Sequence, residues 1–321
     1  MNAPVMPMTP RERFHATFVA GRTDCVPRHE DLRDEVLAGW DLPDALARVA
    51  LERWETATPD HANPGLDGVV ATLADADRWM ALHQPPTTPA LTALHDGAER
   101  EWVLGLSLYR GLLLTFGVSD GQSLADFLLF LADHGDRVEQ MMAQLADYHL
   151  ALAAPALATL DVDYLLLAEP IASHQAPVIS PTMWNRFCAP YYRRLIDLAR
   201  RHGVRTVVWE SWGQVEVLLP HVLATGVDVL CLRHAAGAGT DIAALRERLG
   251  PEVGFIGGVD ARLLAGPPER LDAALARLLP AMLPGGRFVP MLDDRPRPEL
   301  PGHVFVAYRE RLERALRAAS A

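Results

Sequence analysis

Charged side chains follow the apolar runs of this sequence at the points where predicted strands end. Glu169 follows YLLLA, and Glu210 follows TVVW. The other residues of this kind are Arg28 and Glu30 after CVP, Arg233 and His234 after VLCL, Asp260 after FIGGV, and Asp293 and Asp294 after FVPML. Carboxylates mixed with arginine and histidine in this way are suited to bind a divalent metal ion or an anionic, polar substrate.

The two glutamates are predicted catalytic residues. Glu210 lies between Trp209 and Trp212, where a carboxyl group needs a partner or a raised pKa. Glu169 precedes Pro170 and has a structural alternative, which is an ion pair with an arginine. We favour a functional role for both glutamates, with Trp212 contributing to substrate binding.

The remaining candidates have structural alternatives too. Asp260 follows two glycines and a valine, so it either caps the next helix or takes part in chemistry. Asp293 and Asp294 are adjacent, and in an extended chain their side chains point to opposite sides, so one of them is expected to face the site. His174 and His234 are candidate substrate-binding residues, although most histidines in such positions are structural.

Several kinds of chemistry are excluded by composition. All 30 basic residues are arginine, so a Walker A lysine or a Schiff-base lysine for pyridoxal phosphate cannot operate. No G-x-S-x-G motif is present. The three cysteines, Cys25, Cys188 and Cys231, lack any C-x-x-C spacing, which argues against a thiolate zinc site or a disulfide framework. Acid/base or metal-assisted chemistry fits the remaining groups better.

Apolar runs of five to seven residues alternate with amphipathic stretches from residue 100 onward, which is typical of βα units and a parallel sheet. The predicted strands are Glu101–Leu108, Asp163–Ala168, Val204–Trp209, Val227–Leu232, Val253–Ile256 and Arg287–Met291, with CVPRHE as an earlier strand. The predicted helices are Thr9–Ala20, Ser123–Thr159, Pro181–His202, Val215–Thr225, Asp241–Leu249, Pro268–Met282 and Gly302–Ala319.

This alternation predicts an α/β fold, a single distorted (β/α)8 TIM-type barrel with an N-terminal helical extension. An open doubly wound sheet is the alternative, but no G-x-G-x-x-G follows the first strand. One domain is expected over residues 1–321, in which 1–95 supply the first strand and a cover of irregular helices, and 100–321 supply the regular units. The final helix is rich in arginine and glutamate, and is expected to be a solvated closing element.

The formal net charge of -11 argues against binding to nucleic acid or to an anionic membrane. No signal segment and no apolar run of membrane-spanning length is present, so a cytoplasmic location is expected. Arg295 and Arg297 flank prolines in a loop and are expected in solvent. An exposed apolar helix face permits a homodimer. A small-molecule substrate is the expected ligand.

The sequence resembles the uroporphyrinogen decarboxylase superfamily, especially its corrinoid-linked methyltransferase-like branch. The resemblance covers nearly the whole chain and rests on blocks in matching order. The blocks are TPRERFHATFVAGRTDCVP, EPIASHQAPVISPTMWNRFCAPYYRRLIDLARRHG, GQVEVLLPHVLATGVDVL, GPEVGFIGGVDARLLAGPPERL and PGGRFVPMLDDRPRPELP. It implies a distorted (β/α)8 barrel with its site at the carboxyl ends of the strands.

The sequence departs from the family patterns at two places. The arginine-rich R-Q-A-G-R segment that grips propionates in uroporphyrinogen decarboxylases is replaced here by VPRHEDLRDE. The His-x-Cys and distant Cys that hold zinc in the methyltransferases are replaced by Glu210, Ser211 and Trp212 and by the Asp293–Asp294 pair. The resemblance therefore leaves an all-oxygen or mixed oxygen and histidine metal site, for zinc or a harder divalent ion, with Glu210, Asp293 and Asp294 as ligands.

Three functions follow from these residues and this resemblance. The first is methyl transfer from a small methylated substrate to a corrinoid or similar acceptor, with a corrinoid protein as an expected partner and with Glu169, Glu210 and one of the two aspartates at the reacting centre. Arg233 and His234 would then orient an anionic substrate. The second is a decarboxylase or related lyase with Arg28 and Arg233 as grips, and the third is a barrel that binds a ligand without catalysis. No nucleotide is expected as cofactor.

Overall fold

The computed structural model describes residues 7–40, 49–59, 64, 67–86 and 100–319. The chain divides into two compact units. The terminal unit contains Met1–Trp54, Arg100–Val103 and Val229–Ala321, and the central unit contains Glu55–Glu99 and Leu104–Asp228.

Strands and helices alternate along the chain. The strands of the described residues are β1 (Trp54–Ala57), β2 (Val103–Tyr109), β3 (Tyr164–Ala168), β4 (Thr206–Trp212), β5 (Val229–Arg233), β6 (Gly254–Val259) and β7 (Phe288–Leu292). The α-helices there are α1 (Pro10–His15), α2 (Asp34–Ala38), α3 (Leu73–Leu82), α4 (Leu112–Thr115), α5 (Gly121–Asp133), α6 (Gly135–Thr159), α7 (Pro181–Met183), α8 (Ala189–Arg201), α9 (Leu219–Leu223), α10 (Ile242–Leu249), α11 (Pro268–Met282) and α12 (Gly302–Ala319). Two π-helical segments, Ala16–Ala20 and Trp184–Cys188, continue α1 and α7, and 3-10 turns occupy Glu216–Leu218, Ala236–Ala238 and Ala261–Ala265.

In the central unit, strands β2, β3 and β4 are parallel neighbours. Leu165 lies opposite Leu106 on one side and opposite Val207 on the other. Most side chains of the three strands are buried, as expected for strands covered on both faces. Helices α6 and α8 pack against each other beside them.

Capping residues begin several of these helices. Asp120 accepts the backbone N–H of Ser123 at the start of α5, and the Ser123 hydroxyl accepts the N–H of Asp120 in return. Helix α5 ends at Asp133, because His134 has a non-helical backbone at φ -128°, and α6 starts at Gly135. The predicted single helix Ser123–Thr159 is therefore two helices.

In the terminal unit, strands β5, β6 and β7 are parallel neighbours. Their residues are almost all buried, and α11 packs against both α10 and α12. The last helix is not wholly solvated, because Phe305, Tyr308 and Arg309 are buried on one face. The sequence predicts a solvated helix from its charged residues, and all of these except Arg309 are exposed or half-buried.

The structure has the α/β, TIM-type fold that the sequence predicted, with the six strands from β2 to β7 at the predicted places. The early strand is a correction. Residues 25–30 form no strand, and the first strand among the described residues lies at Trp54–Ala57 instead. Pro27 lacks a backbone N–H and cannot take part fully in a strand ladder. Part of the predicted helical cover within 31–95 lies outside the described residues, and helices α2 and α3 lie in the rest. No helix of the described ranges is long and apolar enough to cross a membrane.

Candidate active site

The Glu169 carboxyl is buried in the central unit, immediately after β3. The backbone N–H of Leu112 donates to Oε1 at 2.7 Å, and the Tyr192 hydroxyl donates to Oε2 at 3.0 Å. The Trp209 indole N–H donates to the Tyr192 oxygen at 3.2 Å. We call Glu169, Leu112, Tyr192 and Trp209 the Glu169 cluster. It joins residues from β3, α4, α8 and β4.

Burial raises the pKa of Glu169 to about 7, against the lowering effects of the Leu112 backbone N–H and of the Tyr192 and Tyr109 hydroxyls. Desolvation disfavours the charged carboxylate, whereas these donors favour it. Both the acid and the carboxylate forms are therefore present near neutral pH, which is the condition for efficient proton donation by a carboxyl group.

Gly111 allows the chain to approach this carboxyl closely. Its φ is +94°, and a Cβ atom there would lie 2.6 Å from Cδ of Pro170 and 2.8 Å from Oε1 of Glu169. A side chain would therefore clash in a backbone conformation that already favours glycine. Only glycine lets the Leu112 N–H reach the carboxyl group.

The ends of β3 and β4 are joined by backbone and side-chain bonds. The Glu169 N–H donates to the Glu210 carbonyl at 2.7 Å, and the Ser211 hydroxyl donates to the Glu169 carbonyl at 2.5 Å. Glu210 is buried, whereas Trp212 is half-buried and His174 lies on an exposed loop. The functional roles of Glu210, Trp212 and His174 stay predictions.

In the terminal unit, two arginines converge on one aspartate. Arg233 Nη2 and Arg295 Nε each lie 2.5 Å from Asp31 Oδ2. Although burial acts to raise it, the two guanidinium charges hold the pKa of Asp31 below its usual value. Arg233, Arg295 and Asp31 form what we call the Asp31 cluster, at the carboxyl ends of β5 and β7. Arg295 is thus partly buried in an ion pair, not in solvent as expected.

Asp293 links the loops that follow β5 and β6. Its Oδ2 accepts the N–H of Ala236 at 3.3 Å, and its Oδ1 accepts the N–H of Ala261 at 3.0 Å. Burial raises the pKa of Asp293. Asp294 is more exposed, and its Oδ1 lies 3.2 Å from Nε2 of His234. The two aspartates thus differ in burial and in partners, and the expectation that only one of them faces the site stays a prediction.

Three other predicted site residues, Asp260, Arg28 and Glu30, make structural contacts. Asp260 caps the turn Ala261–Ala265 and pairs with Arg262 at 2.8 Å, and its role in chemistry stays a prediction. Arg28 pairs with Glu313 at 3.1 Å.

Glu30 is buried and accepts hydrogen bonds from three donors. These are the Tyr308 hydroxyl at 2.5 Å, Arg309 Nη1 at 2.9 Å and the Leu292 N–H at 3.2 Å. The contacts with Tyr308 and Arg309 hold α12 in place. Its predicted substrate-binding role is untested.

Asp31, Tyr192, Leu112 and Gly111 were missed by the sequence reasoning. Asp31 is adjacent to Glu30 in the run RHED, so the same strand-end rule could have found it. Tyr192, Gly111 and Leu112 carry no such signal, because they approach Glu169 from parts of the chain that are remote in sequence.

The predicted metal ligands do not assemble into a metal site in the part of the chain that is described. There, no group of three or more His, Cys, Asp or Glu side chains is arranged to hold a metal ion. Both oxygens of Asp293 accept backbone N–H bonds, and Asp294 pairs with His234. These donors do not fit a metal centre.

Comparison with known proteins identifies the family. The family model described as "Uroporphyrinogen decarboxylase (URO-D)" matches residues 115–292, which is more than half of the chain. The chain therefore belongs to the uroporphyrinogen decarboxylase family.

Curated relatives match over a shorter stretch. A protein named uroporphyrinogen decarboxylase from Parasynechococcus marenigrum is 31% identical over 98 residues, which are 30% of this chain and 26% of that protein. Two Synechococcus proteins of the same name match over 98 residues at 31% and 32% identity. The alignments thus span about a quarter of these relatives, 26% of their length.

A solved structure is similar over almost the whole chain. The structure described as "methyltransferase from Methanosarcina mazei" has a TM-score of 0.59 and 16% sequence identity, and the match covers 98% of this chain and 100% of that one. At this identity the likeness concerns the fold.

Proposed function

We propose that this chain is an enzyme that transfers a methyl group from a small methylated, anionic substrate to a corrinoid or a similar acceptor. The observation that carries the proposal is the Glu169 carboxyl, which is buried at the carboxyl end of β3 and has a pKa of about 7. In α/β barrels the reacting groups lie at this end of the strands.

Glu169 would act as the general acid. When the bond between the methyl carbon and an ether oxygen or amine nitrogen breaks, its electron pair goes to the oxygen or nitrogen. Glu169 donates its proton to that atom, and the acceptor supplies the electron pair for the new bond to the methyl carbon. Positioned proton donation of this kind accelerates reactions by roughly 10²- to 10⁴-fold.

The Asp31 cluster supports an anionic substrate. A substrate carboxylate could take the place of Asp31 between Arg233 and Arg295, because guanidinium groups bind carboxylates through paired N–H donors. His234, held against Asp294 in the same unit, would contribute to its orientation.

The fold that this chain shares with the Methanosarcina mazei methyltransferase also favours methyl transfer. Activation of a thiol by thiolate-bound zinc is not part of the proposal, because Cys188 and Cys231 are buried singly. A corrinoid protein is the proposed carrier of the acceptor.

Decarboxylation is the second candidate. Two arginines that converge on one carboxylate are also suited to hold the substrate of a decarboxylase, and curated relatives bear the name uroporphyrinogen decarboxylase. A carboxyl acid would then protonate the carbanion that remains after carbon dioxide leaves.

Product analysis tests the proposal. The wild-type protein is incubated with a panel of methoxy and methylamino carboxylic acids and free cob(I)alamin, and demethylated acid is followed by proton NMR while carbon dioxide release is followed in parallel. We expect demethylation by the wild type, a loss of roughly 100-fold or more in Glu169→Gln, and no loss in Glu247→Gln, an exposed control.

Other outcomes would redirect the proposal. Carbon dioxide release without demethylation would establish the second candidate. Saturable binding of these acids without any product would indicate a non-catalytic ligand-binding barrel, and equal rates for wild type and Glu169→Gln would remove Glu169 as the acid.

A further inference from the structure

A cavity of about 690 Å³ opens in the terminal unit at the amino end of β7. The Asp31 cluster lies at the other end of this strand. The cavity is lined by the chain from Gly21 to Val26, by the loop before β7, and by residues near the ends of α11 and α12. Binding sites for small organic ligands have volumes of roughly 300–1,000 Å³. This cavity therefore has room for a small molecule away from the proposed reacting centre.

One wall of the cavity is formed by two chain segments in close main-chain contact. A Cβ atom on Gly286 would overlap the carbonyl oxygen of Gly21, and both glycines line the cavity. Only glycine at position 286 lets the loop before β7 approach so closely. The shape of this wall therefore depends on the backbone and not on the rotamers of long side chains.

Arg22 supplies the unbalanced charge of the cavity. It is exposed and forms no ion pair with another described residue. The other charged residues of the wall have partners, because Asp24 lies 2.7 Å from Nε of Arg13 and Arg287 Nη2 lies 2.8 Å from Glu252. Guanidinium groups bind carboxylates through paired N–H donors. The rim of the cavity therefore favours an anionic group.

Much of the remaining wall is apolar. Val26, Leu283 and Phe288 line it together with two prolines and an alanine, and Phe288 is buried. Removal of apolar ligand surface from water against such a wall is favourable. A ligand of this cavity should therefore have an apolar body as well as an anionic group.

Thr17 adds one polar group to the buried part of the wall. Its side chain is 2% exposed, and its hydroxyl has no hydrogen-bond partner among the described residues. A buried hydroxyl without a bond costs free energy. A ligand atom that bonds this hydroxyl removes that cost, which favours a ligand with a hydrogen-bonding atom on its apolar body.

We propose that this cavity binds a small carboxylic acid with a hydroxylated apolar body. Arg22 binds the carboxylate, the apolar body packs against Val26, Leu283 and Phe288, and the ligand hydroxyl bonds Thr17. No covalent bond forms or breaks, so this is a binding site and not a second reacting centre. The proposal is independent of the proposed function, because none of these residues belongs to the Glu169 cluster or the Asp31 cluster.

Cys25 reports whether the cavity is occupied. It lines the cavity and is half-buried, whereas Cys188 and Cys231 are buried. The full chain is treated with methyl methanethiosulfonate, a small neutral thiol reagent, and the rate of modification is followed by mass spectrometry. Cys25→Ser confirms the modified position. We expect para-hydroxyphenylpropanoate, the probe ligand, to slow this modification in a saturable way.

Arg22→Gln tests the carboxylate contact. We expect this variant to raise the concentration of para-hydroxyphenylpropanoate that gives half protection of Cys25 by about tenfold. The matched control is Arg33→Gln, which changes an exposed arginine outside the cavity and is expected to leave that concentration unchanged. The amide of the probe, which lacks the charge, is expected to protect the wild type about tenfold more weakly than the acid.

Thr17→Val tests the hydroxyl contact, because valine keeps the shape of threonine without its hydroxyl. The wild type is expected to bind para-hydroxyphenylpropanoate more tightly than phenylpropanoate, and the variant to bind both acids equally. A preference that survives in Thr17→Val would overturn the role of Thr17. If this variant does not fold, equal binding of the two acids by the wild type would overturn it instead.

Two results would overturn the site as a whole. The first is that para-hydroxyphenylpropanoate gives no protection of Cys25 in the wild type. The second is equal protection in the wild type and in Arg22→Gln, which would mean that the acid does not bind at this rim. None of these readouts uses turnover, so failure of the proposed function leaves the test unaffected.

Discussion

At the scale of single residues, Glu169 is a buried carboxyl whose protonation is coupled to folding. Its pKa is about 7 in the folded protein, above its ordinary value of 4.5. Between these two pH values the folded chain keeps a proton that the unfolded chain releases. The contribution of Glu169 to the free energy of unfolding is therefore greatest at low pH, and it is lost as the pH rises through the pKa of the folded protein.

Replacement of Glu169 by glutamine is expected to remove this pH dependence. The contribution amounts to roughly 3 kcal/mol between about pH 4.5 and pH 7. Urea unfolding of wild type, Glu169→Gln and the exposed control Glu247→Gln at several pH values measures it. A Glu169→Gln curve parallel to that of the wild type would show that the group is ionised in the folded protein.

His29 is expected to have the opposite effect. Burial lowers its pKa to about 3, and its ring stacks on Trp54 at 4.0 Å between centroids. The folded protein keeps it neutral, so its contribution to stability is present above the ordinary pKa of 6.5 and is lost as pH falls toward 3. The variant His29→Phe retains a ring for the stack. When the pH falls from about 7 to about 5, the free energy of unfolding of the wild type is expected to fall by roughly 2 kcal/mol more than that of this variant. Equal losses would contradict a neutral imidazole in the folded protein.

At the scale of elements, the turn that leads into α4 depends on Gly111. We expect Gly111→Ala to destabilise the protein by about 1–3 kcal/mol more than Gly203→Ala. Gly203 is the matched control, because its φ is +87° but a Cβ there would meet nothing within 4 Å. Thermal or urea unfolding of both variants measures the difference. Similar losses would mean that the backbone conformation, and not the contact with Pro170 and Glu169, requires glycine.

Helix α12 is held by a buried ion pair. Arg309 Nη1 lies 2.9 Å from Oε1 of Glu30, and both side chains are 1% exposed. Arg309→Ala leaves a buried carboxylate without its cation and is expected to cost about 3–5 kcal/mol. Arg311→Ala, on the same helix, removes an exposed pair with Asp272 and is expected to cost less than about 1 kcal/mol. Equal losses of unfolding free energy in the two variants would mean that Glu30 does not need Arg309 as its buried cation.

The elements were largely predictable from the sequence, because apolar periodicity is a local property. Helix α11 spans the predicted Pro268–Met282, and β3 begins one residue after the predicted start. The clusters were less predictable. Arg233 contacts Asp31 across 202 positions of the chain, and Tyr192 reaches Glu169 from a helix. Such contacts depend on how elements pack, which no local pattern contains.

At the scale of the whole molecule, the net charge of -11 predicts weak interaction with polyanions. We expect no retention on a DNA column at low salt, because binding to DNA requires a cationic surface that neutralises phosphates. Retention that salt abolishes would reveal a basic patch on this acidic chain.

The homodimer stays a prediction of the sequence. Sedimentation at several protein concentrations tests it. A dimer is expected to give one species near twice the monomer mass of 35.2 kDa, whereas a single species at the monomer mass would contradict it.

The central claim is that this member of the uroporphyrinogen decarboxylase family contains a carboxyl acid, Glu169, that is protonated in part at neutral pH. The most direct measurement is the infrared titration of the wild-type protein against Glu169→Gln. We expect a carboxyl band that belongs to Glu169 and is half lost near pH 7. A band already absent at about pH 5 would mean an ordinary ionised glutamate, and the acid chemistry proposed for this protein would be contradicted.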